Sequence, residues 1–135
     1  MEIKISNMTL SDLNNIDFGN NNLLSSFNFP NYKCIVAKIE NEITGFAILW
    51  FSVDDVHIID IFVKEVYRNK GIGSSLLQEL INISKNYNYS EITLEVNVHN
   101  LPAQKLYNKF HFEKVGIRKK YYNNTDDAII MTLHI

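Results

Sequence analysis

The sequence predicts a mixed α/β fold in which one sheet with a parallel strand pair at its centre carries helices and ends in a hairpin. Three observations lead there. A dense β-branched run, VHIIDIFV at residues 56–63, is followed by a glycine turn and then by apolar residues at helical spacing. At residues 92–98 the period switches to two, so a strand, a crossover helix and a second strand follow one another, the arrangement that produces parallel neighbours. Two final strand-like runs flank the turn NNTDD.

The chain of 135 residues is near the size of one domain, so a single domain over 1–135 is expected. Hydrophobic residues make up 46% and charged residues 21%, an ordinary globular composition. Thirteen basic against fifteen acidic residues leave a formal net charge of −2, which does not favour nucleic acid, so any anion site must be local. No direct nucleic-acid partner is expected. No apolar run approaches the ~20 residues of a membrane helix, and MEIKISNMTLSDL lacks the charged start and apolar core of a secretory signal. With Cys34 as the only cysteine, inside the apolar run CIVAKI, the thiol reads as buried and inert, and a reducing, cytoplasmic setting is the default.

Residues 2–5 read as a first strand, and Thr9 or Ser11 with Asp12 starts a short helix through Leu13 and Ile16. DFGNNNLLSSFNFPN, residues 17–31, mixes turn residues with Leu and Phe and reads as a short helix or an ordered loop. Residues 32–39 and 44–53 suit strands, joined by a connection over 40–43. The run 56–63 belongs in the middle of a sheet with both faces covered. From Ile72 to about Tyr87, the residues Ile72, Leu76, Leu77, Leu80, Ile81 and Ser84 share one helical side and pack on the sheet. In the strand 92–98, Ile92, Leu94, Val96 and Val98 face one way, which leaves Glu95 in the middle of the opposite face. Asn100, Leu101 and Pro102 open the next helix, with Pro102 suited to a first turn because its missing N–H costs nothing there. Residues 112–122 and 128–135 form the closing strands.

The loop YRNKGIGSSLL, residues 67–77, stands between a strand and a helix N-terminus, where unpaired backbone N–H groups and the helix dipole favour an anion. Gly71 and Gly73 have no Cβ and let the backbone come close, while Arg68 and Lys70 add charge at the rim. A phosphate loop of the Walker type would need Lys and then Ser or Thr after the last glycine, yet Gly73 is followed by Ser74 and Ser75. A dinucleotide fold would need a third glycine where Leu76 stands. The spacing leaves an acyl-CoA pyrophosphate, against the plainer reading of a tight turn with a basic rim.

More than the loop matches. Arg68, Gly71 and Gly73 after VHIIDIFV resemble the acetyl-CoA motif of the GNAT N-acetyltransferase superfamily, and LEVNVHNLPAQKLYNKFHFEKVGIRKKYY followed by DDAIIM resembles the ribosomal-protein-alanine N-acetyltransferases (RimI type). The resemblance runs in detail from Val56 to the C-terminus. It implies the GNAT fold: a mixed central sheet with a splayed parallel pair, helices on both faces and a C-terminal β-hairpin. It also implies acetyl-CoA as cosubstrate, with the pyrophosphate on the backbone N–H groups of Asn69, Lys70, Gly71, Ile72, Gly73 and Ser74 and Arg68 beside it at the rim. The backbone of Ile61, Phe62 and Val63 would pair with the pantetheine amides as an added strand does. Asn100 would cap its helix and hydrogen-bond the pantetheine arm. Three departures stand out: no Pro-Trp segment follows the first helix, His111 replaces the usual Gly past the last helix, and Lys64 and Glu65 replace an acidic-Pro pair.

Acetyl transfer to an amine needs a neutral amine, a polarised carbonyl and a proton for the departing thiolate. Glu95, in the strand next to the loop, is the candidate base, acting directly or through water; its plainer reading is a solvated strand carboxylate. The resemblance puts Tyr107 beside the cofactor sulfur as proton donor, where it could otherwise be a core aromatic. Tyr121 and Tyr122 could line an acceptor groove or simply coat a solvated hairpin. His57 and His99 read as structural, and no metal is expected. The acceptor is then the N-terminal α-amino group of a protein such as a ribosomal protein. A small amine, such as a polyamine or an aminoglycoside-like compound, is the alternative, and a non-catalytic acyl-CoA-binding module is a third reading that Glu95 and Tyr107 together oppose.

Overall fold

A computed structural model of the chain describes residues 2–16, 26–27 and 29–135. In chain order the elements are β1 (Lys4–Asn7), α1 (Leu10–Asn14), β2 (Tyr32–Ile39), β3 (Glu42–Phe51), β4 (Val56–Val63), a 3-10 turn (Glu65–Tyr67), α2 (Ile72–Asn86), β5 (Glu91–Asn97), α3 (Leu101–Lys109), β6 (Glu113–Tyr122) and β7 (Asp126–His134). Among the described residues the strands form one seven-stranded sheet in the order β1-β2-β3-β4-β5-β7-β6. β4 and β5 are parallel and central, and the other neighbouring pairs are antiparallel.

Alternation along the strands sorts the core into two faces. Ile35, Ala37, Ala47 and Leu49 lie under α2, whose Leu76, Leu77 and Leu80 are fully buried, each such side chain contributing about 1.5–3 kcal/mol. The register partners of the opposite face, Val36, Phe46 and Ile48, pack with Met8 and Leu13 on the α1 side. Thr9 caps α1: its hydroxyl accepts from the Asp12 N–H at 3.1 Å and the Asp12 carboxylate accepts from the Thr9 N–H at 3.0 Å. Asp12 also meets Lys38 of β2 at 2.7 Å, which ties the short helix to the sheet.

Most boundaries fall within two residues of the sequence reading, and the differences have local causes. The connection expected over residues 40–43 is a tight turn at Glu40 and Asn41, with φ of 50° and 68°. Two successive left-handed residues match the twist of the flanking strands, so Glu42 and Ile43 join β3. His111 takes φ 71° just past α3, so an imidazole-bearing residue fills the left-handed position expected there. The segment 17–31 lies mostly outside the described residues; of its apolar side chains, Phe27 joins the α1-side cluster.

β4 departs most from the expectation that both its faces are covered. Ile48 pairs with Asp60 while Leu49 pairs with Ile58, so Ile59 is an extra residue, a β-bulge. Val56 and Ile58 therefore belong to the α2-side core, and after the bulge Ile61 and Val63 take over that face. Strict alternation would have put Asp60 with Ile58. The bulge turns it to the other face, beside Phe62.

Candidate active site

The parallel pair opens at its middle. β4 and β5 are in register only through Val56↔Ile92, His57↔Thr93 and Ile58↔Leu94, and beyond these the strands part. Both continue, β4 on β3 and β5 on β7, so a wedge forms between their C-terminal halves. Two cavities meet in it. One, of about 600 Å³, runs from Asp60 to Val63 of β4 past the glycine loop to Asn100 and Leu106 of α3. The other, of about 280 Å³, lies between β4 and β5 and reaches Tyr122 of the hairpin. Asp60, Ile61, Asn100, Ala103 and Tyr107 line both and so mark their junction.

The larger cavity has the features of an anion-binding cleft. Arg68 is extended, Asn69 has φ 62° and Gly71, the N-cap of α2, has φ 85°. Left-handed residues at these points are the kind from which backbone N–H groups build an anion-binding concavity. The first loop-to-helix bond is Ser75 N–H to the Gly71 carbonyl, at 3.0 Å, so the N–H groups of Ile72, Gly73 and Ser74 precede the intrahelical ladder. A Cβ on Gly71 would meet no atom within 4 Å, which makes its backbone angle the reason for glycine. Arg68 does more than charge the rim: its Nε donates to the Val63 carbonyl at 3.1 Å and pins the loop to the end of β4. Arg68, Asn69, Gly71, Ile72, Gly73 and Ser74 all line this cleft, as do Ile61, Phe62 and Val63. Lys70 is exposed and lies outside the lining. An elongated ligand with an anionic group near one end and hydrogen-bonding groups along its length fits the arrangement.

At the other end stand the reactive side chains. Asn100 caps α3, its Oδ1 accepting from the Ala103 N–H at 3.2 Å, and Gln104 Nε2 donates to the Asn97 and Val98 carbonyls at 3.2 and 3.0 Å. Those bonds fix α3 to the end of β5 and bring Tyr107 over the wedge. Tyr107 is buried, its ring 5.7 Å from that of Phe112. Burial, then Asp60, then Tyr122 raise its phenol well above the usual tyrosine range. Tyr122 is pushed up to about 12, by burial first and then by Tyr121, Glu95 and Asp60. Glu95 projects into the smaller cavity from β5, and its Oε1 lies 3.4 Å from a guanidinium nitrogen of Arg118 on β6. Arg118 in turn sits 5.2 Å from the Tyr121 ring centroid.

The structure therefore brings Glu95, Tyr107 and Tyr122 around one small cavity beside the glycine cleft. Tyr121 does not line it; nearly half exposed, it supports Arg118 and meets Tyr122 edge to face at 4.9 Å. Sequence reasoning missed Asp60 and Arg118. Asp60 is the one charged residue in VHIIDIFV, a signal in itself, but the bulge that aims it is invisible among neighbours of like character. His57 meets Asp55 at 3.1 Å, and Thr93 donates to the same carboxylate at 3.2 Å. His99 lies 3.6 Å from Asp126. Among the described residues no group of three His, Cys, Asp or Glu side chains could hold a metal ion, and no helix is long and apolar enough to cross a membrane.

Comparison with known proteins agrees with this geometry. The Acetyltransferase (GNAT) family model matches residues 8–112. An N-alpha-acetyltransferase of Sulfolobus acidocaldarius is 37% identical over 147 aligned positions, covering 91% of this chain and 87% of the relative. The [ribosomal protein bS18]-alanine N-acetyltransferase of Escherichia coli K12 is 35% identical over 97 positions, 70% of this chain and 66% of the relative. The crystal structure of the Escherichia coli ribosomal-protein-S18-alanine N-acetyltransferase superposes with a TM-score of 0.87 at 26% identity, over 99% of this chain and 94% of that one. With a family match over most of its length and the splayed sheet and glycine cleft in place, the chain belongs to the GNAT family and is an acetyltransferase that uses acetyl-CoA.

Proposed function

We propose that this acetyltransferase modifies the α-amino group of a protein N-terminus, a ribosomal protein being one such acceptor, with residues 1–135 acting as a single catalytic domain in the cytoplasm. The observation that carries the reading is the junction of the two cavities. The larger cleft suits acetyl-CoA, and the smaller, open to the β6–β7 hairpin, suits the first residue of a peptide. The names of relatives at 35–37% identity support a terminal α-amine. Against a polycation stands the Arg118 guanidinium beside Glu95, which competes with a second ammonium.

Acetyl-CoA supplies an acetyl thioester. The N–H groups at the start of α2 and the loop from Arg68 to Ser74 hold its pyrophosphate, and the β4 edge at Ile61, Phe62 and Val63 together with Asn100 takes the pantetheine arm. Such an edge directs the thioester toward Tyr107, and a backbone N–H there polarises the carbonyl. Glu95 takes the proton of the ammonium, directly or through water. An α-amine has a pKa of roughly 8, so only a modest base is required at neutral pH. Tyr107, held protonated by its burial, donates to the sulfur as negative charge builds there. Tyr122 forms one wall of the acceptor side, with Tyr121 behind it.

Incubation with acetyl-CoA and a library of peptides with free N-termini, followed by mass detection, should give products acetylated at the terminal amine. Acetylation confined to lysine side chains or to polyamines would overturn the assignment of acceptor. Glu95→Gln tests the base within the same assay. Acetyl-CoA affinity should hold while turnover falls at neutral pH, and the deficit should shrink as pH rises past the pKa of the amine, where the neutral form needs no base. A constant fractional loss across pH would mean that Glu95 positions the acceptor without taking its proton.

A further inference from the structure

We propose that Gly45 of β3 is a positioning residue for acetyl transfer: its missing Cβ makes room for the Phe62–Val63 peptide of β4 and so sets the backbone edge that receives acetyl-CoA. The inference rests on the placement of acetyl-CoA along β4 given above and extends it to a residue that lines neither cavity.

Gly45 is buried, and among the described residues Gly71 alone of the glycines has positive φ, so backbone conformation does not explain the glycine at 45. Close approach does. A Cβ there would stand 2.5 Å from the Phe62 carbonyl oxygen, 3.3 Å from Val63 Cα and 3.4 Å from Leu76 Cδ1. The first distance is far inside contact, and the atom met is backbone, which cannot swing aside as the end of a side chain can. The Leu76 contact puts this direction on the α2 side of the sheet, where Ala47 also lies. The Phe62 carbonyl thus leans toward α2, into the space a side chain at 45 would need. In a planar trans peptide the N–H points opposite to the carbonyl, so this lean also fixes the aim of the Val63 N–H.

That N–H belongs to the site. Lys64 N–H donates to the Thr44 carbonyl at 2.8 Å, and bonded and unbonded residues alternate along an antiparallel ladder, so Val63 and Ile61 turn their N–H groups away from β3. β5 has parted from β4 at this level, and the two groups face the wedge: Val63 lines the larger cleft and Ile61 the junction of both cavities. Val63 is coupled to the glycine loop as well. Its carbonyl accepts from Arg68 Nε at 3.1 Å, and its Cγ2 lies 4.0 Å from where a Cβ on Gly73 would stand. Moving this one peptide would misplace the pantetheine edge and the pyrophosphate loop together.

The test is Gly45→Ala, assayed with any amine that the parent enzyme acetylates. The added methyl should lower kcat about a hundredfold, as a small misplacement of reacting groups or of a carbonyl-polarising donor does. Calorimetry should show acetyl-CoA affinity reduced by up to about tenfold, the worth of a hydrogen bond. The KM for the amine should stay near that of the parent. Ile35→Val, which thins the same core under α2 without touching β4, is the control: its Tm should fall while kcat holds. A Gly45→Ala protein that loses Tm but keeps the parent's kcat and acetyl-CoA affinity would make Gly45 a packing residue and overturn the proposal.

A measurement on the parent keeps the proposal open to refutation even if Gly45→Ala does not fold. In hydrogen exchange the Lys64 amide should be protected with or without acetyl-CoA, whereas the Val63 amide should exchange freely until acetyl-CoA is added. A Val63 amide protected in the ligand-free protein would mean that the peptide is not aimed at the wedge, and the proposal fails. If acetyl-CoA protects other segments and not Val63, the placement of the cofactor along β4 fails with it. Protection of Val63 by acetyl-CoA together with a fully active Gly45→Ala would keep that placement and overturn the role of Gly45 alone.

Discussion

Tyr107 shows how one side chain can satisfy a core and a reaction together. Its ring packs on Phe112 and is buried from solvent, so the plainer reading as a core aromatic holds for the ring. It also lines both cavities at their junction. Burial and the neighbouring carboxylate of Asp60 keep the phenol protonated through the neutral range, which suits a donor and excludes a base. Tyr107→Phe should therefore leave thermal stability and acetyl-CoA binding close to the parent while kcat drops roughly a hundredfold, the usual worth of a general acid. Equal kcat in the two proteins would confine Tyr107 to packing. Cys34 offers the contrast: burial pushes its thiol up to about 11, so almost none is thiolate at neutral pH, in line with an inert residue of β2.

At the scale of elements, the glycine loop rests on backbone conformation more than on space. Gly71 sits at φ 85° as the N-cap of α2, a region that a β-branched residue rarely adopts. Gly71→Val should shift the loop out of that conformation, and calorimetry should then record a strong loss of acetyl-CoA affinity. Unchanged affinity would remove the loop from the binding site. The loop was legible in the sequence because glycine spacing before an apolar helical pattern reports backbone geometry directly. The strand-helix-strand-helix order and Glu95 at the centre of β5 were legible too, since period and burial agree there. The bulge at Ile59 was not, because Ile58, Ile59 and Ile61 are interchangeable in an alternation pattern and only pairing with β3 reveals the extra residue. Arg118 was hidden for a related reason. In the sequence RKK it looks like its solvated neighbours, and only the β6–β7 pairing brings it over β5.

In the whole molecule, the sheet behaves as two units joined by a short seam. β1 to β4 form one antiparallel array backed by α2, β5 to β7 form another, and three residue pairs of the β4/β5 ladder connect them. A sheet that parts at its centre exposes strand edges that elsewhere would be covered, and a ligand lying along them acts as the missing strand. Acetyl-CoA should therefore stabilise the fold by linkage, about 2.7 kcal/mol at a hundred times its Kd, seen as a rise in Tm. The distribution of the effect is more informative than its size. Hydrogen exchange with and without acetyl-CoA should show added protection concentrated at residues 60–63 of β4 and at Arg68, Asn69 and residues 71–74 of the loop, which line the larger cleft. No residue of β6 lines that cleft, and its amides should gain only what global stabilisation confers. Protection that is uniform along the chain, or greatest in the β6–β7 hairpin, would place the cofactor elsewhere and sever the link between the open sheet and its chemistry.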